Sequence, residues 1–290
     1  MAKPGDNSGI KYILLATFFF ALMNVGVKLL DRIPAHEIVL FRAAVTLFVG
    51  YIILRGRKIY PWGNNKKLLL FRGLSGTAAL VMYFWTLQNM PLASAVTIQH
   101  LSPIFTVLIS GLMLREPARY VQWLFLLAAF GGVLMVKGFD PRVTIPELTI
   151  GVAAAVFSAT AYNFIRMLKD YDHPLVVVFY FPLVTVPIVG VYTVFNWTTP
   201  TLVELSILLA VGLATTAAQI YLTRAYQAET ASNLSIFNYL GTIYAIIFGL
   251  TIFGETIPPL GYAGFTVIIV AVIVSNRFRR ASPERGGRNS

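Results

Sequence analysis

Cysteine is missing from all 290 residues, which excludes disulfide frameworks, thiol catalysis and cysteine-ligated metals together. Charge is thin as well. Asp, Glu, Lys and Arg make up 12% of the chain, against about a quarter in a soluble domain. Hydrophobic residues reach 57%, with a mean hydropathy of +0.72. The 12 acidic residues and 3 histidines form no cluster at metal-ligand spacing, and no phosphate-cradling glycine loop is present. These absences leave no metal or cofactor to expect and give an enzyme little support. They describe an all-α integral membrane protein.

Base is what the chain has in excess. A net charge of +11 would suit nucleic acid, yet most Lys and Arg sit in short segments between apolar runs, where they orient a protein in a bilayer. The expected partners are the lipid bilayer and a small-molecule substrate, not nucleic acid.

Ten apolar segments follow one another, at about 12–30, 36–54, 68–89, 92–113, 120–137, 148–168, 174–195, 202–225, 231–253 and 259–277. Each can cross a hydrocarbon core of about 30 Å as a helix rising about 1.5 Å per residue. Ten crossings put both ends on one side, and the basic residues choose that side. With the termini in the cytoplasm, 18 of the 23 Lys and Arg fall in cytoplasmic segments, Arg72 among them; four lie at the other face and Arg42 lies within helix 2. A multi-pass cell-membrane protein with cytoplasmic termini is expected. Lys3 and Lys11 precede a run too long for a cleavable leader, so helix 1 is expected to stay as an anchor. Residues 279–290 read as a disordered tail.

The stretch from Leu92 to Glu116 is long enough to span, yet it holds Gln99, His100, Ser102 and Pro103 near its midpoint. Lipid offers those groups no hydrogen-bond partner. Pro103 has no N–H for the Gln99 carbonyl four residues earlier, so an acceptor is freed beside a histidine and an amide at membrane depth. Polar groups placed so deep mark function.

Shifting the sequence by 139 residues superposes its halves without a gap from helix 1 to the start of helix 5. Asn24 falls on Asn163, Gly73 on Gly212, Thr77-Ala78-Ala79 on Thr216-Ala217-Ala218, Gln88 on Gln227, Phe105 on Tyr244 and Glu116 on Glu255. Residues 1–139 and 140–278 are thus two repeats of five helices. An odd number of spans starts the second repeat from the opposite side. The repeats are expected to be inverted, with a solute site near the midplane that each aqueous phase reaches in turn.

The paired segments Pro91-Leu-Ala-Ser-Ala-Val-Thr-Ile-Gln-His-Leu-Ser-Pro-Ile-Phe105 through Leu114-Arg-Glu116, and Thr230-Ala-Ser-Asn-Leu-Ser-Ile-Phe-Asn-Tyr239 through Phe253-Gly-Glu255, resemble the drug/metabolite transporter superfamily, and within it the EamA-type ten-helix carriers. The resemblance covers almost the whole chain. It implies a basket of two five-helix halves around a central cavity, with helices 5 and 10 as peripheral supports. Such carriers handle amino acids, other metabolites, vitamins and drugs, so export of an amino acid or related compound leads, by analogy alone. Uptake of a vitamin or organic anion is the alternative within the class, and a receptor or scaffold without transport the alternative outside it. One departure is visible: Pro103 falls on Thr242, so helix 9 is expected to be less broken than helix 4.

Seven residues are candidate substrate contacts: Asn24, Tyr83, Gln99, His100, Asn163, Gln219 and Asn238. His100 changes charge near neutral pH and raises proton coupling; the bland reading is a neutral ring bonded to a neighbouring helix. Asn24 and Asn163 form the cleanest repeat pair, although interhelical hydrogen bonding explains buried amides equally well. Gln219 comes with Thr215 and Thr216. Tyr83 and Trp85 cannot share a helix face, and Tyr83 is preferred. Arg42 is expected to snorkel to the outer face rather than to pair with Glu37 or a substrate anion; facing the cavity instead, it would favour an acidic substrate. Glu116 and Glu255 read as structural carboxylates in the first turns of helices 5 and 10. Gly73-Leu-Ser-Gly76 resembles the nucleophile motif of intramembrane serine proteases, but Ser75 and His100 belong to opposite halves of the membrane, so no catalytic residue is assigned.

Overall fold

A computed structural model describes residues 8–89, 95, 98–116, 118–137, 143–254 and 259–281. Its long helices, numbered here along the chain, are α1 (Ser8–Lys28), α2 (Ala35–Gly56), α3 (Lys66–Asn89), α4 (Ser102–Met113), α5 (Tyr120–Lys137), α6 (Ile145–Met167), α7 (Pro174–Phe195), α8 (Leu202–Ala228), α9 (Leu240–Phe253) and α10 (Pro259–Ala281). Among the described residues, six helices (α1, α2, α3, α6, α7 and α8) are long and apolar enough to cross a membrane; the apolar runs of α4, α5, α9 and α10 are shorter. Large side chains such as Leu112 at 83% exposure and Phe195 at 82% point outward from the bundle, as lipid permits and water does not.

Local chemistry sets the helix ends. Thr144 with Glu147, and Thr201 with Glu204, form capping boxes that open α6 and α8. His173 caps α7 by accepting from the Leu175 N–H at its Nδ1, 3.2 Å away. Partial burial, then the charges of Arg224 and Arg57, hold the His173 pKa below its usual value. The lowered pKa favours the neutral ring that an accepting Nδ1 requires.

Prolines and small residues set the interior. Pro103 stands in the first turn of α4, and the helical path breaks at His100–Leu101 just before it. As expected, the second half departs less from a helix: Ala231–Leu234 is one α-turn, Ser235–Tyr239 is 3-10 and α9 starts at Leu240, with no turn residue between them. The tighter 3-10 winding is accompanied by a bond from Asn238 Nδ2 to the Tyr226 hydroxyl at 3.1 Å.

Helix pairing follows the shift of 139. α1 packs along α8 as α3 packs along α6, α2 along α8 as α3 along α7, and α4 on α6 as α9 on α1. A Cβ on Gly73 would stand 2.7 Å from Val184, and one on Gly212 2.6 Å from Val45. Val45 and Val184 are themselves 139 apart, so the same close approach is built twice. Thr77 meets Thr185 at 2.8 Å and Thr216 meets Thr46 at 2.9 Å, again the same pair twice. α5 and α10 pack chiefly on each other.

Arg72 does not lie in a loop, so it must be withdrawn from the 18 orienting charges: it is 2% exposed, inside the bundle. Glu116 also corrects its expected role. It precedes α5 by several residues and accepts from Arg166 Nη2 at 2.9 Å and Nε at 3.3 Å, so an ion pair holds it rather than the α5 dipole. Pro117, Pro258 and Glu255 fall outside the described residues.

Candidate functional site

The break before α4 and the 3-10 turn before α9 meet at the centre. Tyr239 donates its hydroxyl to the His100 carbonyl at 3.2 Å, and the two rings lie 5.8 Å apart. These residues are 139 apart in sequence, so repeat counterparts touch each other.

Beside them is a cavity of about 200 Å³. Thr17, Phe20, Ala21 and Asn24 line it from α1, Tyr83 from α3, and Gln99, His100, Ser102 and Pro103 from the broken stretch. Tyr162 of α6, Leu222 of α8, Asn238 of the 3-10 turn and Gly241 of α9 complete the wall. Tyr162 stacks on Tyr226, ring centroids 5.1 Å apart. Gln99 Nε2 donates to Ser158 Oγ at 2.9 Å, while Gln99 Oε1 and Ser102 Oγ are buried without a partner among the described residues. Both atoms are enclosed, so a solute reaches them only when the wall rearranges.

Two arginines stand behind this wall. Arg42 is 5% exposed, its Nη1 3.5 Å from Met23 Sδ and its guanidinium 5.8 Å from the Phe84 ring centre. The expected snorkelling is therefore overturned, because neighbouring helices enclose the side chain before it can reach the outer face. Glu37 is not its partner either; that carboxylate accepts from the Thr198 N–H at 3.0 Å. Arg72 donates from Nη2 to Gln219 Oε1 at 3.2 Å and lies 4.3 Å over Phe181. Cation–π contacts of this kind contribute about 0.5–2 kcal/mol but leave the charge in place.

The sequence model of the EamA-like transporter family matches residues 7–138 and again 145–277. The chain belongs to the EamA-like transporter family. Among its relatives is the pseudopaline exporter CntI of Pseudomonas aeruginosa, 34% identical over 277 residues that cover 94% of this chain and 97% of the relative. Human solute carrier family 35 member G1 is 28% identical over 298 residues, covering 96% and 80%. A crystal structure of a protein 15% identical in sequence superposes with a TM-score of 0.84 over 97% of this chain and 100% of its own, and shares the fold. The protein is thus a membrane transporter for a small metabolite, not an enzyme.

In this EamA-like carrier, five of the seven expected contacts (Asn24, Tyr83, Gln99, His100 and Asn238) share one cavity. Trp85 faces outward at 38% exposure. Asn163 and Gln219 lie outside the wall: Asn163 is fully buried and donates to the Thr106 carbonyl at 3.1 Å and the Ala159 carbonyl at 3.0 Å, and Gln219 is held by Arg72. Ser75 bonds the Phe71 carbonyl of its own helix at 2.7 Å. Leu222 and Gly241 could have been found by shifting Tyr83 and Ser102 by 139. Tyr162 and Thr17 could not, since their counterparts Met23 and Val156 carry no polar group.

Proposed function

We propose that this carrier exports a small metabolite by alternating access, its ten spans forming two inverted five-helix halves, residues 1–139 and 140–278, with both termini cytoplasmic. The reading is carried by the unequal states of one repeat pair. Asn163 is closed onto the Thr106 carbonyl of α4, whereas Asn24 is exposed in the cavity and bonded to no other described residue. Inversion turns that inequality into a switch. In the opposite conformation Asn24 closes onto α9 and Asn163 opens to the other side, so the site uses Asn24, Tyr83, Gln99, His100 and Asn238 in one state and recruits Asn163 and Gln219 in the other. Contact between the counterparts His100 and Tyr239 suits an axis through the centre. His100, at the pivot, is proposed to carry the coupling proton.

Counterflow in proteoliposomes tests this, with pseudopaline as first probe because two relatives at 34% identity are exporters of that compound. Labelled pseudopaline should exchange into preloaded vesicles, and His100→Gln should flatten the pH dependence of the rate. Binding to the purified protein with no exchange would make it a receptor and end the carrier reading. An unchanged pH profile in the variant would remove the proton role alone.

A further inference from the structure

We infer that the transported solute is a net anion, carrying at least one carboxylate or comparable anionic group in excess of any positive charge, and that Arg42 and Arg72 set this preference. The inference rests on the carrier reading and adds the charge of the cargo.

Both guanidinium groups are almost wholly enclosed at membrane depth, at 5% and 2% residue exposure. Arg42 touches Met23 and Phe84, the sequence neighbours of the wall residues Asn24 and Tyr83, and Arg72 bonds Gln219, one turn before the wall residue Leu222 on α8. None of the described carboxylates faces either arginine. Glu37 is bound to Thr198, Glu116 to Arg166, Asp172 to the Asn64 and Asn65 N–H groups, and Glu204 to Arg32. Arg72 Nε has no partner among the described residues. Two positive charges thus remain unneutralised beside a polar cavity, where an isolated cation is costly unless an anion joins it.

Architecture alone does not call for these charges. The shift of 139 places Phe181 where Arg42 stands and Val211 where Arg72 stands, and the second half packs the same helix pairs with those apolar side chains. A substitution tolerated in one copy and charged in the other points to the ligand, not to the scaffold. Tyr83 and Tyr162, which line the cavity, carry hydroxyls that can donate to a carboxylate there.

The test takes a small-molecule cell extract split on an anion-exchange resin into retained and unretained fractions. Each fraction is offered to proteoliposomes of the purified protein and to protein-free liposomes, and lumen contents are read by mass spectrometry at early times. Protein-dependent entry should be confined to compounds of the retained fraction, and Arg42→Gln and Arg72→Gln should slow it by about tenfold or more, with Arg42→Lys and Arg72→Lys retaining part of the rate. Protein-dependent entry from the unretained fraction alone overturns the inference while leaving the carrier intact. So does wild-type entry of acids by Gln variants that elute as folded monodisperse protein. Entry from neither fraction overturns the carrier reading and this inference with it.

Discussion

Thr46, Thr77, Thr185 and Thr216 show how a hydroxyl is accommodated on a helix surrounded by lipid. Each lies within donating distance of the carbonyl four residues back, at 2.8, 2.9, 3.0 and 2.8 Å respectively; with one proton apiece, one member of each pair donates there and the other donates across the helices, so no donor is stranded. The oxygens then meet in pairs across helices, Thr77 with Thr185 and Thr46 with Thr216. Interhelical bonds of this type contribute about 0.6 kcal/mol on average in membranes and up to about 1.7. Replacing one partner by valine keeps the shape and removes the bond. Double-mutant cycles on Thr77/Thr185 and on Thr46/Thr216, read from reversible unfolding in mixed micelles, should give coupling energies that agree within about 0.5 kcal/mol. A coupling in one pair and none in the other would mean that the halves do not share this contact.

At the level of helices, the glycines decide how near neighbours come. Gly73 lets α7 approach α3 and Gly212 lets α2 approach α8, each against a valine that a side chain would strike below 3 Å. Gly73→Leu and Gly212→Leu should therefore each destabilise the protein by at least about 1–3 kcal/mol through overpacking, measured as lost thermal stability in detergent. Gly56, which meets nothing within 4 Å, is the control position. Both glycines were legible beforehand as a pair at constant offset, as was the proline break, because a missing N–H and a missing Cβ act wherever the helix goes. The burial of Arg42 and Arg72 was not legible. An arginine some two turns from a helix end can reach water by its own length, and only the helices packed around it decide whether it does. The 3-10 winding before α9 escaped for a similar reason: it holds no proline, and the Asn238 and Tyr239 bonds that accompany it reach partners the sequence does not place nearby. Asn24 and Asn163 looked equivalent in sequence, yet Asn24 is exposed and Asn163 buried.

For the whole molecule, one end of the bundle is latched in a way the other cannot copy. Arg166 at the end of α6 joins Glu116 and reaches the Gln227 carbonyl of α8 at 3.5 Å, drawing α4, α6 and α8 together. The counterpart of Arg166 is Val27, which can form no ion pair at the opposite end. On the proposed alternating-access reading, this latch favours closure at the Arg166 end and opening at the Asn24 end. Because the chain has no cysteine of its own, single cysteines report this directly. Asn24→Cys should react readily with a membrane-impermeant maleimide and Asn163→Cys slowly. Adding Arg166→Met removes charge-assisted bonds of about 1.5–3 kcal/mol, so the ratio of the two closures should move by roughly ten- to a hundredfold. Labelling at Asn163→Cys should then rise while labelling at Asn24→Cys falls. Such reciprocity is what separates alternating access from a static pore: a channel would expose both positions together, and a rigid scaffold would change neither.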